Sequence, residues 1–126
     1  MMEALPRLVL VVEDVAAEQK LMVALLQRAG YKAVGQSSAE AAWGWLESQG
    51  LPALVLADIG LPGESGLDLC RRIRAHPDWR NLPVVMCSSR NREADRFWAQ
   101  KQGATDYLTK PYTPQQLITM VQKYVG

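Results

Sequence analysis

Three runs of this chain are continuously aliphatic: Leu8–Val12, Ala53–Ala57 and Val84–Cys87. A strand with one face in water alternates apolar and polar residues. A continuous run belongs to a strand buried on both faces, as in a parallel sheet covered by helices. Two weaker strands read at Ala33–Gly35 and Asp106–Leu108. Helical patterns separate them. Leu21, Met22, Leu25, Leu26 and Ala29 recur at helical spacing, and Gly30 follows as a stop. Ser37 and Glu40 have the spacing of a capping box, ahead of a helix expected to bury Ala39, Ala42, Trp43 and Leu46 and to stop at Gly50. Gly66–Ala75 is a third helix, ending before Pro77. A fourth, mostly polar one carries Ala94, Phe97, Trp98 and Lys101 and ends at Gly103. Thr113, Pro114 and Gln116 open a fifth, with Pro at the first helical position and Gln three after the cap, and Leu117, Met120, Val121 and Tyr124 on its inner face. The order is βα five times, which predicts a three-layer α/β domain with a five-stranded parallel sheet.

Composition narrows the class without changing that picture. A chain of 126 residues suits one domain, here 1–126, with a sizeable core. Its formal net charge of +1 provides no basic excess for nucleic acid. No apolar run approaches a membrane span, and the start Met1–Pro6 lacks the charged and apolar regions of a secretory signal. A cytoplasmic location is expected. Cys70 and Cys87 form no metal motif and read as buried small hydrophobes.

Chemistry gathers at the strand ends. Glu13 and Asp14 follow the first strand, Asp58 the third, Ser88 the fourth and Lys110 the fifth. The carboxyl ends of parallel strands share one edge, where ligands bind. Three carboxylates placed together repel unless a cation sits among them. Mg²⁺ takes one or two carboxylates, keeps several waters and binds phosphate oxygens. Asp14 and Asp58 can ligate directly, Glu13 can reach a bound water, and a Gly60 carbonyl can add a ligand. Asp58, beside the glycine-rich loop 59–66, can act as a nucleophile and form an aspartyl phosphate. Lys110, before Pro111, can bind the transferred phosphoryl group as a point charge. Ser88 can hydrogen-bond a phosphate oxygen. Each has a plainer reading: Asp14 as a helix N-cap, Asp58 as a turn residue, Ser88 as the cap of the next helix, Lys110 as a solvated lysine. The combination at one edge outweighs them.

Together these pieces resemble the receiver domain of bacterial two-component response regulators. The matching residues are Val11–Asp14, then Asp58 with Leu61, Pro62 and Gly66, then Pro83–Ser89, then Gly103, Ala104 and Tyr107–Pro111. The resemblance covers nearly the whole chain. It implies a flavodoxin-like strand order of 2-1-3-4-5 and a phosphoryl group passed from a sensor histidine kinase to Asp58. It further implies Mg²⁺ held by Glu13 and Asp14, a switch hydroxyl at Ser88, a switch aromatic at Tyr107 and a phosphate-binding Lys110. Glu13 stands for the commoner Asp, and Ser88 for the commoner Thr. In this reading Ser88 moves toward the phosphoryl group and Tyr107 rotates inward, changing a protein-contact surface. Residues 94–98 with 101–104 look like the single-domain receivers of type IV pilus systems, which implies a downstream motor or pilus protein. A chain ending at Gly126 is expected to act through such a contact, or as a phosphate sink, and not as an enzyme beyond promoting its own phosphorylation and dephosphorylation; a non-switching receiver that binds partners without phosphorylation is the other alternative, against which the complete acid, hydroxyl and lysine set argues. The rival is a phosphohydrolase of the haloacid dehalogenase type, but those place a second Asp two residues after the nucleophile, and here that residue is Gly60.

Overall fold

The computed structural model describes residues 4–126; Met1–Glu3, at the start read above as no secretory signal, lie outside the described residues. Strands and helices alternate as β1 (Ala4–Val12), α1 (Ala16–Arg28), β2 (Lys32–Gln36), α2 (Ala39–Gln49), β3 (Leu51–Asp58), α3 (Gly66–Ala75), β4 (Val84–Ser88), α4 (Glu93–Lys101), β5 (Asp106–Thr109) and α5 (Pro114–Val125). All pairings are parallel, in the order β2-β1-β3-β4-β5. The three-layer, flavodoxin-like α/β fold expected from the sequence is the one observed.

The aliphatic runs explain the layering. Side chains of a strand alternate between faces. Val9 and Val11 of β1 therefore pack with Met22 and Leu26 of α1 and with Leu117 and Val121 of α5. Leu10 and Val12 pack on the other face with Ala39, Ala42 and Leu46 of α2, with Leu69, Cys70 and Ile73 of α3 and with Ala99 of α4. The same division runs through β3, where Leu54 and Leu56 face one layer and Val55 and Ala57 the other. Both cysteines are buried and free, and burial pushes the Cys87 thiol up to about 12, so neither is a ready nucleophile.

Several local expectations shift. The buried stripe of α1 is Met22 and Leu26, one turn apart; Leu21 sits to one side of it and is exposed. Trp43 is half-buried, under the Arg72 guanidinium at 4.0 Å from its ring. Phe97 and Trp98 stand in solvent on α4, whose single buried residue is Ala99. The cap of α2 is Ser38, which accepts from the Ala41 N–H, not Ser37. Glu40, freed from that role, accepts from the Glu64 N–H at 2.9 Å and ties α2 to the loop after β3. At α5 the expected Thr113–Gln116 capping box is present. No helix among the described residues is long and apolar enough to cross a membrane.

Two glycines make opposite cases. A Cβ on Gly66 would lie 2.2 Å from the Asp58 carbonyl oxygen, so the start of α3 packs against the backbone of β3 itself. Gly44 faces solvent within α2, with nothing within 4 Å of the added Cβ, and nothing in the structure explains it. Gly66→Ala is expected to destabilise by about 1–3 kcal/mol as an overpacking change. Gly44→Ala is expected to stabilise by about 1 kcal/mol from helix propensity alone. Urea unfolding of both variants checks the pair, and equal effects of the same sign would contradict the packing described here.

Candidate functional site

Register sets the site as a staircase. Val12 lies beside Ala57, so the chain leaves β1 as Glu13 level with Asp58 at the end of β3. Asp58 pairs with Cys87, so Ser88 stands one residue further along β4. Ser88 pairs with Thr109, and Lys110 follows. The Lys110 N–H donates to the Ser88 carbonyl at 2.8 Å, and the Lys110–Pro111 peptide is cis. All four loops thus open at the carboxyl edge, around the β1–β3 position where the strand order reverses.

Lys110 is the centre. Its Nζ donates to Glu13 Oε1 at 2.7 Å, to Asp58 Oδ2 at 3.2 Å and to Glu18 Oε2 at 3.2 Å. Glu13 is 1% exposed, and its second oxygen accepts the Val15 N–H at 3.2 Å. Asp58 Oδ1 accepts the Gly60 N–H at 3.1 Å, which orients the carboxylate within the loop. That loop is closed by Ile59, whose carbonyl accepts from both Leu61 and Gly66, and by a Ser65–Asp68 capping box at the start of α3.

Charge follows burial. Burial raises the Glu13 carboxyl to about 7; the Lys110 hydrogen bond opposes that rise and the neighbouring Glu18 adds to it. For Lys110 burial acts downward, but the Glu13 hydrogen bond and the Asp58 and Glu13 charges outweigh it and hold the ammonium above the ordinary lysine value. Glu18 is held below the ordinary glutamate value by its hydrogen bonding with Glu13, then with Lys110. The ammonium is therefore a fixed cation.

The sequence brings Glu13, Asp14, Asp58, Ser88 and Lys110 to this edge as expected. Each of the three acids in front of Lys110 offers an oxygen, and those oxygens lie within 4.8 Å of one another. Asp14 is exposed, and it does not cap α1: the N-cap is Val15, with no side-chain cap bond. Asp14 is left for other work. These residues fit Mg²⁺: two accessible carboxylates for a hard cation that keeps its waters, with Glu13 already committed to Lys110 and Val15 and so suited to an indirect contact. Ser88 does not cap α4, which begins after Arg92. Its Oγ accepts the Arg90 N–H at 3.1 Å.

The Tyr107 ring is buried, and its hydroxyl donates to the Arg90 carbonyl at 2.6 Å, beneath the Arg96 guanidinium. One residue, Arg90, thus holds both side chains, Ser88 through its N–H and Tyr107 through its carbonyl. The sequence reading missed Arg90 and Glu18. Only the second left a signal: Glu18 is an acid in the first turn of α1, close behind Glu13 and Asp14 in the chain.

A family model described as response regulator receiver domain matches residues 9–122. The phosphate regulon transcriptional regulatory protein PhoB of Escherichia coli (strain K12) is 34% identical over 116 residues, 92% of this chain and 50% of that protein. The sensory transduction protein RegX3 of Mycobacterium tuberculosis is 35% identical over 114 residues, 90% of this chain and 48% of that protein. The chain therefore spans about half the length of these curated relatives. Among solved structures, the receiver domain of sensor histidine kinase PA1611 from Pseudomonas aeruginosa superposes with a TM-score of 0.86 at 28% identity, covering 97% of this chain and 99% of that one; it holds a magnesium ion coordinated in its active site cleft.

Glu13 links this site to folding. Its carboxyl binds a proton more tightly in the folded chain than at its ordinary value of 4.5. The stabilisation is full below that value and is lost as pH rises through about 7. With chelator present, thermal stability is expected to fall between about pH 5 and about pH 8, and Glu13→Gln should flatten that slope. Melting curves across this range test it; an unchanged slope in the variant would assign the effect elsewhere.

Proposed function

The chain belongs to the response regulator receiver family, and from that premise we propose that it is a signalling switch that accepts a phosphoryl group on Asp58 from a sensor histidine kinase. One observation carries the reading: the Asp58 carboxylate lies at the strand edge with the Lys110 ammonium 3.2 Å away and the oxygens of Glu13 and Asp14 close beside it. An oxygen of Asp58 attacks phosphorus in line, and the phosphorus–nitrogen bond to the donor histidine breaks, its electron pair leaving on the imidazole. Lys110 neutralises a phosphoryl oxygen as charge shifts onto the group. Asp14 and Asp58 would hold Mg²⁺ directly, with Glu13 through water and Gly60 through its carbonyl. When bound, that ion supplies neutralisation of phosphoryl and carboxylate charge.

The response runs through Arg90. A phosphoryl oxygen on Asp58 attracts the Ser88 hydroxyl, which now accepts from the Arg90 N–H. Movement of Ser88 changes the loop on whose carbonyl Tyr107 rests. Tyr107 lines a groove of about 580 Å³ between α4, β5 and α5, with Arg96, Pro111, Gln116, Met120 and Lys123 among its walls. Phe97 and Trp98 stand exposed on α4, the helix that contributes Arg96 to that groove. A surface of this kind supports output through a protein contact. The likeness of residues 94–104 to pilus-system receivers has no counterpart in the relatives described above, so a pilus or motor protein is one candidate partner among others.

Asp58→Asn is expected to abolish the gain of one phosphoryl mass on treatment with acetyl phosphate and Mg²⁺, with the fold retained because the side chain sits at an open edge. Intact-mass spectrometry checks this, and mass gain at the wild-type rate would sink the assignment. Ser88→Ala and Tyr107→Phe are expected to be coupled by about 1–3 kcal/mol in the activated state. A double-mutant cycle, read as the fraction of each protein shifted by beryllofluoride in the Trp98 NMR signal, measures that term. Strict additivity would mean that Arg90 does not link them.

A further inference from the structure

Glu18 lies outside the acidic cluster suited to a metal, yet it reaches Lys110 across 92 residues of sequence. An ammonium has three donors. Here all three are engaged, by Glu13, Asp58 and Glu18. A phosphoryl oxygen that takes up the ammonium must displace one of these acceptors. Glu13 is buried and held by the Val15 N–H as well. Asp58 is the group being modified. Glu18 is half-exposed, and its longer contact of 3.2 Å is released into water with little desolvation. It also stands in the wall of a cleft of about 340 Å³, lined by Glu18, Leu21, Ser89, Lys110, Pro111 and Tyr112, that approaches Lys110 from outside.

We propose that Glu18 is a positioning residue that competes with the incoming phosphoryl group for the Lys110 ammonium and so slows phosphorylation by small anionic donors. This rests on the reading of Asp58 as the phosphoacceptor. The donor class is a free acyl phosphate, such as acetyl phosphate. An Asp58 oxygen bonds to phosphorus as the bond from phosphorus to the acetate oxygen breaks; acetate leaves with the electron pair, and no proton is taken up or lost. Glu18 opposes this step twice. It occupies a donor that the phosphoryl oxygen needs, and its charge repels an anion entering the cleft. The same charge favours a cation, so its loss should act on Mg²⁺ in the opposite direction.

The test compares wild type, Glu18→Gln, Glu18→Asp and Asp58→Asn by the rate of phosphoryl mass gain with acetyl phosphate at saturating Mg²⁺. Glu18→Gln keeps the length and removes the charge. It is expected to react about fivefold faster at low ionic strength, as one unit charge a few ångströms away in a solvated site implies. That gain should shrink toward onefold at about 1 M salt, where charges are screened within a few ångströms. Glu18→Asp keeps a charge at the rim but draws it back from Lys110 by one methylene, and is expected to fall between wild type and Glu18→Gln. Calorimetric titration of Mg²⁺ without any phosphodonor should give a several-fold weaker affinity in Glu18→Gln. A faster rate beside a weaker metal affinity is a pairing that simple loosening of the site does not produce. The proposal is overturned if Glu18→Gln is no faster, if its gain is independent of salt, or if Glu18→Asp is as fast as Glu18→Gln. If wild type shows no mass gain that Asp58→Asn removes, the phosphoacceptor reading and this inference fall together. If that gain is present and only the Glu18 order fails, the reading stands and the inference alone is lost.

Discussion

One ammonium among carboxylates governs this molecule. Lys110 holds Glu13, Asp58 and Glu18 together at the carboxyl edge of the sheet, and Asp14 adds a further acid beside them. Without that cation, acids at one edge would repel, and a buried Glu13 would have no partner for its charge. With it the site is still short of positive charge, because one ammonium faces several carboxylates. The deficit is what suits the site to a divalent cation. Burial sets the balance. Glu13 is inside and leans toward its protonated form, Asp14 is outside and accessible, and Asp58 lies between them.

The scaffold keeps this charge knot in place through contacts far from any charge. Alternate residues of β1 and β3 anchor two helical layers, so the central strands have no freedom to slip in register. The strand ends are therefore fixed relative to each other, and the loops inherit that order. Close approach of Gly66 to the Asp58 carbonyl lets α3 begin immediately behind Asp58. The Glu40 carboxylate reaches from α2 to the Glu64 N–H and steadies the far side of the same loop. The result is a rigid sheet edge with a tied loop at Asp58.

On the other side of Asp58 the loop after β4 is held by neutral hydrogen bonds. Ser88 and Tyr107 never need to touch. They share Arg90, whose N–H serves one and whose carbonyl serves the other. Arg90, held through its N–H and through its carbonyl, thus stands between the charged edge and the groove lined by Tyr107.

The sequence alone carried the aliphatic runs, the helix stops and the acids, hydroxyl and lysine that follow each run. Burial on both faces leaves an unbroken apolar signature, so the parallel sheet, its five-helix cover and the placing of Glu13, Asp14, Asp58, Ser88 and Lys110 at one edge could be read in advance. Local spacing also located the Thr113 cap, because that hydrogen bond closes within one turn. Spacing misjudged Ser37, where the neighbouring Ser38 met the same need. What only the tertiary structure decided are the contacts between distant segments: Glu18 with Lys110, Glu40 with Glu64, and Arg90 with Tyr107. Such pairs leave no periodicity in the chain. They form because the sheet fixes where each loop emerges, and a polar side chain then takes the nearest unsatisfied partner.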